Sequence, residues 1–195
     1  DGQGLDFFLN KESSVWPDQL PEAFRKAVVA FVIGGKHATK RLPNEKIISV
    51  CRKLNSRVVL LGGDSDRKNG DIIAGATEGK VFNGCGLFSL KQSAYIVKSA
   101  DVVISHDTGL MHIAAAMQKR IVSVWGNTVP AFGMVPYMPA NPERSAIVEV
   151  MGLSCRPCTK IGYSKCPKGH FDCMNKIDEN RIVSLTHEFI RQQLH

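Results

Sequence analysis

Short apolar runs rich in β-branched residues alternate along this chain with stretches whose apolar residues recur at helical spacing. The apolar runs predict buried strands, and the spaced stretches predict amphipathic helices. Strands are predicted at 27–35, 57–61, 81–86, 102–105, 121–126 and 145–150. Helices are predicted at 44–55, from 71 onward, and at 89–100, 110–117 and 177–194. Asn44 and Ser89 precede two of these helices and are predicted to cap them.

Alternating strands and helices joined by short loops predict an α/β fold, Rossmann-like and doubly wound, around a mainly parallel sheet. Residues 1–26 are predicted to form an entry segment or linker. Residues 27–195 are predicted to form the domain, including a cysteine-rich segment at 155–173 and the carboxyl-terminal helix. The first strand is not followed by a GxGxxG pattern, and residues 34–40 lack the spacing of a Walker loop. A dinucleotide dehydrogenase and a P-loop nucleotidase are therefore disfavoured.

The stretch at 99–126 is the centre of this pattern. An apolar strand leads into the polar turn His-Asp-Thr-Gly at 106–109, which is followed by a helix and a second buried strand. Such a unit places its two strands parallel. The turn then lies at the carboxyl end of a strand and the amino end of a helix, where folds of this class bind ligands. Unpaired N–H groups and the helix dipole favour a phosphate at that point.

The formal net charge of +7 favours an acidic partner, such as a nucleotide, an anionic lipid or a nucleic acid, although a basic surface without a partner explains it equally well. The hydrophobic fraction of 44% is ordinary for a globular protein. None of the apolar runs in the sequence is long enough to cross a bilayer.

The sequence around the polar turn resembles the carboxyl-terminal domain of glycosyltransferase family nine, the ADP-heptose:lipopolysaccharide heptosyltransferases. The D-T-G-x-x-H-x-A-A-A signature of that family is matched in full at 107–116. Three further family features follow the same order along the chain: Lys-x-x-Pro at 40–43, Gly-Gly before a carboxylate at 62–66, and C-x-P-C at 155–158 with Cys173–Met174. The chain departs from the family at 126–130, where Gly-Asn-Thr-Val-Pro replaces the frequent G-P-T-x-P, and at His106 before the signature.

The resemblance implies a site for the diphosphate of an ADP-sugar donor. Thr108, Gly109 and the N–H groups that follow them are expected to stabilise the negative charge of the leaving diphosphate, together with Lys40. Gly109 would allow the backbone to approach the phosphates closely.

The resemblance also implies contacts to the rest of the donor. Asp107 and His112 are expected to bind sugar hydroxyls, Asp66 to bind the ribose or the base, and the loop near Leu87 to cover the adenine. Each residue has a simpler explanation. Asp107 is also a natural helix cap, His112 a structural residue, Asp66 a turn residue, and Lys40 part of a solvated basic loop.

Four cysteines, Cys155, Cys158, Cys166 and Cys173, follow one another in a C-x2-C-x7-C-x6-C pattern. A structural zinc site with four thiolate ligands is one interpretation of that spacing. Reduced thiols and an opportunistic disulfide are the alternatives, because only one C-x2-C pair is present.

The resemblance implies the donor-binding domain of an inverting glycosyltransferase that moves a heptose-like sugar to a lipopolysaccharide core acceptor. It implies a cytoplasmic protein, peripheral at the inner membrane, that needs no metal or cofactor for transfer. The general base is expected in an amino-terminal domain outside this chain, so we expect no catalytic residue here and no activity from this chain alone.

Two alternative functions are compatible with parts of the sequence. A non-catalytic module that binds zinc and nucleic acid would use the positive charge and the cysteines. However, the basic residues are scattered and aromatic residues make up only 7%, so no nucleic-acid partner is expected. Another nucleotide-sugar enzyme, such as an epimerase, is the second alternative.

Overall fold

A computed structural model describes residues 2–26 and 28–193. Its six strands form one sheet in the order β3-β2-β1-β4-β5-β6, and every neighbouring pair is parallel. The strands are β1 (Val28–Val32), β2 (Arg57–Leu61), β3 (Val81–Asn83), β4 (Val102–His106), β5 (Arg120–Trp125) and β6 (Ser145–Glu149). The predicted α/β fold with a mainly parallel sheet is confirmed.

Helices connect these strands and cover both faces of the sheet. They are α1 (Asn44–Lys53), α2 (Arg67–Gly75), α3 (Leu90–Ser99), α4 (Gly109–Ala116), α5 (Asp172–Asn175) and α6 (Glu179–Arg191). Short 3-10 turns lie at Lys11–Ser13, Glu22–Phe24, Ala38–Lys40, Asp64–Asp66, Pro130–Phe132 and Pro142–Arg144. The central unit predicted at 99–126 is confirmed as β4, α4 and β5, with β4 parallel to β5.

One of the two predicted helix caps is correct. Ser89 Oγ accepts a hydrogen bond from the Gln92 N–H, and Gln92 Oε1 accepts one from the Ser89 N–H, which completes a capping box. The prediction for Asn44 is wrong, because Pro43 occupies the cap position of α1. The Asn44 amide instead donates to Asn69 Oδ1 at 3.1 Å, so it joins α1 to α2.

The side chains of β1 alternate between two apolar cores, one on each face of the sheet. Val29 and Phe31 pack with α1, α2 and α6, whereas Val28, Ala30 and Val32 pack with α3 and α4. This alternation explains why the strand is apolar throughout, as is usual for a parallel strand that is buried on both faces.

The predicted entry segment contributes to the second of these cores. Leu20 and Phe24 are buried there, and Trp16 packs edge-on against Tyr95 of α3 at 5.1 Å between ring centroids. The segment therefore packs against the sheet domain. The predicted boundary at residue 27, the last residue of the predicted final helix and the last two residues of the predicted domain lie outside the described residues.

The chain reverses its direction of winding at β1. It passes from β1 to β2 and β3 on one side, and then returns to place β4 on the other side of β1. The loops that follow β1 and β4 diverge at such a point and leave a crevice at the carboxyl ends of the strands. The candidate site lies in this crevice.

Glu179 joins α6 to α1 and provides a test of this packing. Its carboxylate accepts from Lys46 Nζ at 3.0 Å and Ser49 Oγ at 2.6 Å, and it lies 3.5 Å from Lys53 Nζ. Burial raises the pKa of Glu179, but the bonds from Ser49 and Lys46 outweigh burial and lower the pKa overall. A lowered pKa stabilises the fold above the unfolded value of 4.5, and this contribution is lost as the pH falls through the folded value.

We expect Glu179→Gln to lower the free energy of unfolding at neutral pH by about 1–2 kcal/mol, because the charged partner of two lysines is removed. The difference in the free energy of unfolding between the variant and the parent chain should become smaller in acid, where Glu179 is protonated. Urea unfolding at neutral pH and at a pH below 4.5 measures both differences. Glu143→Gln, in an exposed turn, is the control, and equal effects of the two substitutions would contradict the assignment.

Candidate functional site

A cavity of about 460 Å³ opens at the carboxyl ends of β1, β2 and β4. Three loops and the start of α3 enclose it. The lining residues are Val32, Gly34, Gly35, Lys36, His37, Lys40, Gly62, Gly63, Asp66, Phe88, Leu90, Ser93, Asp107, Thr108, Gly109 and Leu110. Loops that follow parallel strands emerge at the same sheet edge, which explains how residues so distant in sequence meet here.

Five of the seven predicted donor-binding residues line this cavity: Lys40, Asp66, Asp107, Thr108 and Gly109. His112 and Leu87 lie outside its lining. His112 is the fourth residue of α4, so it lies one turn beyond the helix end that faces the cavity. Leu87 closes a turn by donating its N–H to the Gly84 carbonyl at 3.2 Å, and the next residue, Phe88, faces the cavity instead. The loop near Leu87 thus borders the cavity through Phe88, and its contact with the adenine stays a prediction.

Lys40 and Asp107 form an ion pair in the cavity wall. Lys40 Nζ lies 2.6 Å from Asp107 Oδ2, and the two side chains are 12% and 6% exposed. Thr128 Oγ1 donates to the same oxygen at 3.1 Å from the loop after β5. The alternatives of a solvated lysine and a capping aspartate are both wrong, because Thr108 holds the cap position of α4 and Asp107 binds Lys40.

A second ion pair joins the loops after β1 and β2. Arg41 Nη1 lies 2.9 Å from Asp66 Oδ1, while Asp66 Oδ2 accepts the Gly63 N–H at 3.0 Å. Both oxygens of Asp66 are thus engaged within the protein. A Cβ at Gly34 would lie 2.7 Å from Asp66 Oδ2, so glycine is required for this close approach. Asp66 has a clear structural role here, in addition to facing the cavity.

The amino end of α4 faces the cavity without a capping side chain among the described residues. Thr108 Oγ1 lies 3.2 Å from Ser105 Oγ, so its hydroxyl is directed to β4. A Cβ built at Gly109 would meet no described atom within 4 Å, which places open space beside the first turn. The early N–H groups of α4 are therefore available to an anion, and the helix dipole favours one.

His106 holds the loop after β1 from inside the sheet. Its Nε2 accepts the Leu42 N–H at 3.1 Å, which places the ring proton on Nδ1. Among the described residues Nδ1 meets no acceptor at good hydrogen-bond geometry, although the backbone of Ile33 and Gly34 is near enough to oppose the fall of the His106 pKa. Burial lowers the pKa of His106 to about 4, so the imidazole is neutral at physiological pH and remains an acceptor for Leu42.

The cysteine-rich segment holds the turn that carries Lys40. Thr39 Oγ1 donates to the Tyr163 carbonyl at 3.1 Å and accepts the Tyr163 N–H at 2.8 Å, while the Thr39 N–H also donates to that carbonyl. Nearby, the Cys158 N–H donates to the Asn127 carbonyl at 3.2 Å. The position of Lys40 therefore depends on a segment more than 100 residues later in the sequence.

The four cysteines of this segment lie close enough to influence one another. Burial raises the pKa of Cys173 to about 11, and burial with the neighbouring Cys155 and Cys166 raises the pKa of Cys158. All four are free thiols. Within residues 2–26 and 28–193, no group of three or more His, Cys, Asp or Glu side chains is arranged to hold a metal ion. The structure thus agrees with reduced thiols and gives the zinc interpretation no support.

Comparison with known proteins identifies relatives of the whole domain. The family model for Glycosyltransferase family 9 (heptosyltransferase) matches residues 8–167. Lipopolysaccharide heptosyltransferase 2 of Escherichia coli strain K12 is 27% identical over 166 residues, which are 81% of this chain and 44% of the relative. This chain spans about half the length of the curated relatives it matches.

Solved structures of similar proteins share the fold. The structure of E. coli ADP-heptose lps heptosyltransferase II aligns with a TM-score of 0.73 at 19% identity, over 97% of this chain and 54% of that chain. The E. coli heptosyltransferase WaaC with ADP aligns with a TM-score of 0.59 at 19% identity, over 88% of this chain and 46% of that chain.

The ion pair between Lys40 and Asp107 predicts a large asymmetry between single and double substitutions. Lys40→Met leaves a buried carboxylate unpaired and should lower the free energy of unfolding by about 3 kcal/mol. Adding Asp107→Asn should recover part of that loss, because a neutral amide replaces the unpaired charge. Urea unfolding of both single variants and the double variant measures the coupling.

Lys36→Met is the matched control, since Lys36 lines the same cavity but is exposed. Its effect should stay within about 0.5 kcal/mol. If the double variant were less stable than Lys40→Met by the full cost of Asp107→Asn, the two residues would be independent and the ion pair would be refuted.

Proposed function

Because this chain belongs to glycosyltransferase family 9, we propose that its cavity binds the nucleotide-diphosphate sugar from which a heptose is transferred to a lipopolysaccharide core acceptor. The observation that carries this proposal is the uncapped amino end of α4, which opens into the cavity beside the ammonium of Lys40. A diphosphate needs such donors, because negative charge accumulates on it as the sugar leaves.

The diphosphate end of the donor lies against α4 and Lys40 in this proposal. The N–H groups of Gly109 and Leu110 would donate to phosphate oxygens, and the open space beside Gly109 admits them. Asp107 accepts one of the three donors of the Lys40 ammonium, which leaves two for the phosphates. Asp107 thereby orients Lys40, and we retain a sugar contact as its second role.

The nucleoside end would lie against the apolar side of the cavity. Phe88 and Leu90 form this wall at the start of α3, with Ser93 beside them. Glycines after β1 and β2 also line the cavity, and they contribute no side chains that would fill it. An apolar wall combined with a cluster of hydrogen-bond donors that can contact phosphate is typical of nucleotide-binding sites. The solved relative with ADP supports adenine as the base.

The remaining partners follow from the family. The curated relatives are about twice as long as this chain, and we propose that an amino-terminal domain supplies the general base and the acceptor contacts. This chain by itself would bind the donor and catalyse no transfer. We retain His112 as a sugar contact in the complete enzyme, since it follows the cavity-facing turn of α4.

The site of action of the enzyme is also part of the proposal. No helix among the described residues is long and apolar enough to span a bilayer. We propose peripheral association with the inner membrane on the cytoplasmic side, where a lipid-linked acceptor would be accessible.

The alternatives of a zinc and nucleic-acid module and of an epimerase gain no support from the family match.

Gly109→Val tests the position of the phosphates. A valine side chain would enter the open space beside the first turn of α4, and we expect it to abolish measurable binding of ADP and of an ADP-sugar. Titration calorimetry measures the affinity, and circular dichroism confirms the fold. Gly75→Val is the matched control, because Gly75 is also helical and also has open space at its Cβ. Parent-like ADP binding by Gly109→Val would contradict the proposal.

Lys40→Ala tests the contribution of the ammonium. We expect binding of ADP to weaken by about 1–3 kcal/mol, which is the range for a lost charge-assisted hydrogen bond. Calorimetry below the melting temperature of the variant measures this, and adenosine is the control ligand. Adenosine lacks the phosphates, so its affinity should not change; a similar loss for both ligands would place Lys40 away from the diphosphate.

A further inference from the structure

One long loop, residues 150–171, has a distinctive charge pattern. It contains no Asp or Glu, and it carries four cations, Arg156, Lys160, Lys165 and Lys168. It contains neither helix nor strand. Loops of this length are uncommon within compact domains, and they usually serve a function. We call it the cationic loop.

The cations of this loop fall into two groups. Arg156 is an internal anchor, since its side chain is 5% exposed and its guanidinium lies 2.9 Å from Glu149 Oε2. Its other donors reach the Val150 carbonyl at 2.7 Å and the Thr128 carbonyl at 2.9 Å. The three lysines, Lys160, Lys165 and Lys168, are exposed. Their charge is therefore presented to the surroundings.

Large apolar side chains are exposed in the same loop. Met151 is 77% exposed, Ile161 is 63% exposed and Tyr163 is 44% exposed. Single exposed apolar residues are ordinary on a protein surface. Here three of them occur in one loop together with three exposed lysines, and this combination is typical of segments that lie in a membrane interface.

The cationic loop is held in place and is not a loose tether. The main chain of Tyr163 is hydrogen-bonded to Thr39 in both directions. Gly162 packs so closely on His37 that a Cβ would lie 2.5 Å from the His37 Cβ, and its φ of +116° also favours glycine. The exposed side chains of Ile161 and Tyr163 are thus fixed beside the turn that carries Lys40.

We propose that the cationic loop docks this chain onto a bilayer that contains anionic phospholipids. The three lysines would contact the headgroups, and Met151, Ile161 and Tyr163 would enter the interface. Charge complementarity favours this occupant, and the apolar side chains favour a bilayer over a nucleic acid, which offers no apolar phase.

This docking has a consequence that rests on the proposed function. Lys40 lines the donor cavity, and Thr39 beside it is bonded to the loop. A bilayer in contact with the loop would therefore lie near the cavity. An enzyme that transfers a sugar to a lipid-linked acceptor would need this placement. The docking itself can be tested without any acceptor.

The test is co-sedimentation of the chain with vesicles of phosphatidylglycerol and phosphatidylethanolamine at low salt. We expect binding to these vesicles and none to phosphatidylcholine alone. The triple variant Lys160→Gln, Lys165→Gln, Lys168→Gln should lower the partition coefficient on the order of a hundredfold, since each lysine contributes roughly fivefold. A control triple, Lys11→Gln, Lys68→Gln, Lys98→Gln, changes the net charge equally at exposed lysines elsewhere and should bind nearly as the parent does.

A second variant tests the apolar part of the proposal. Met151→Ser with Ile161→Ser should reduce binding to anionic vesicles most clearly at moderate salt, where the attraction of the lysines is screened. Equal losses in the two lysine triples, or parent-like binding by the loop triple, would overturn the proposal. So would stronger binding of the loop to a duplex oligonucleotide than to the vesicles.

Titration with ADP separates this proposal from the donor site. The loop variants should bind ADP with the affinity of the parent chain, because none of the substituted side chains lines the cavity. Loss of vesicle binding with ADP binding intact supports the docking loop, whether or not ADP is the natural nucleotide. Loss of both would show that the substitutions act through the fold, and would overturn the assignment of the loop as a separate surface.

Discussion

The carboxylate of Asp107 is the group on which the arrangement of the site depends. It follows a strand buried at the centre of the sheet, and a charge so removed from water must have a partner. The partner is Lys40, which the chain can supply only if the turn after β1 folds back across the sheet edge. Thr128, in a third loop, donates a further hydrogen bond to the same carboxylate. One buried charge thus brings together the loops after β1, β4 and β5.

The surrounding contacts explain how that turn is kept in place. His106 binds the Leu42 N–H from beneath, Tyr163 binds Thr39 from the side, and Asp66 binds Arg41 from the neighbouring loop. None of these contacts requires a ligand. The hydrogen-bond donors around the cavity are therefore arranged without a ligand, and preorganisation of this kind reduces the entropy that binding must overcome.

The sequence pattern was sufficient for the architecture and for most of the cavity wall. Parallel strands buried on both faces produce uniform apolar runs, and the winding order then places the polar turns together, so Lys40 and Thr108 could be placed in one site. The pairing of Lys40 with Asp107 could not be predicted, because an ion pair across 67 residues leaves no periodic signal.

The features that the sequence does not predict have similar physical causes. In the loop near Leu87, a single residue of turn geometry decides which side chain faces inward, and here it is that of Phe88. Asn44 has the residue type of a helix cap, but Pro43, with an extended ψ of 146°, occupies that position. In the sequence His106 is only a departure from the family pattern, because its bond to the Leu42 N–H joins residues 64 positions apart. Thr128 carries no signal in the sequence, because its hydroxyl contributes to the site only through Asp107.

The hydroxyl of Thr39 has a thermodynamic consequence beyond its geometry. It is donor and acceptor to the main chain of the same residue, Tyr163, so this one side chain joins the edge of the cavity to the cationic loop. Two ligands that bind on either side of such a junction are subject to linkage. If a partner of the loop changes the affinity for a ligand in the cavity, that ligand must change the affinity for the partner by the same factor. The junction would thus make occupancy of one surface measurable at the other.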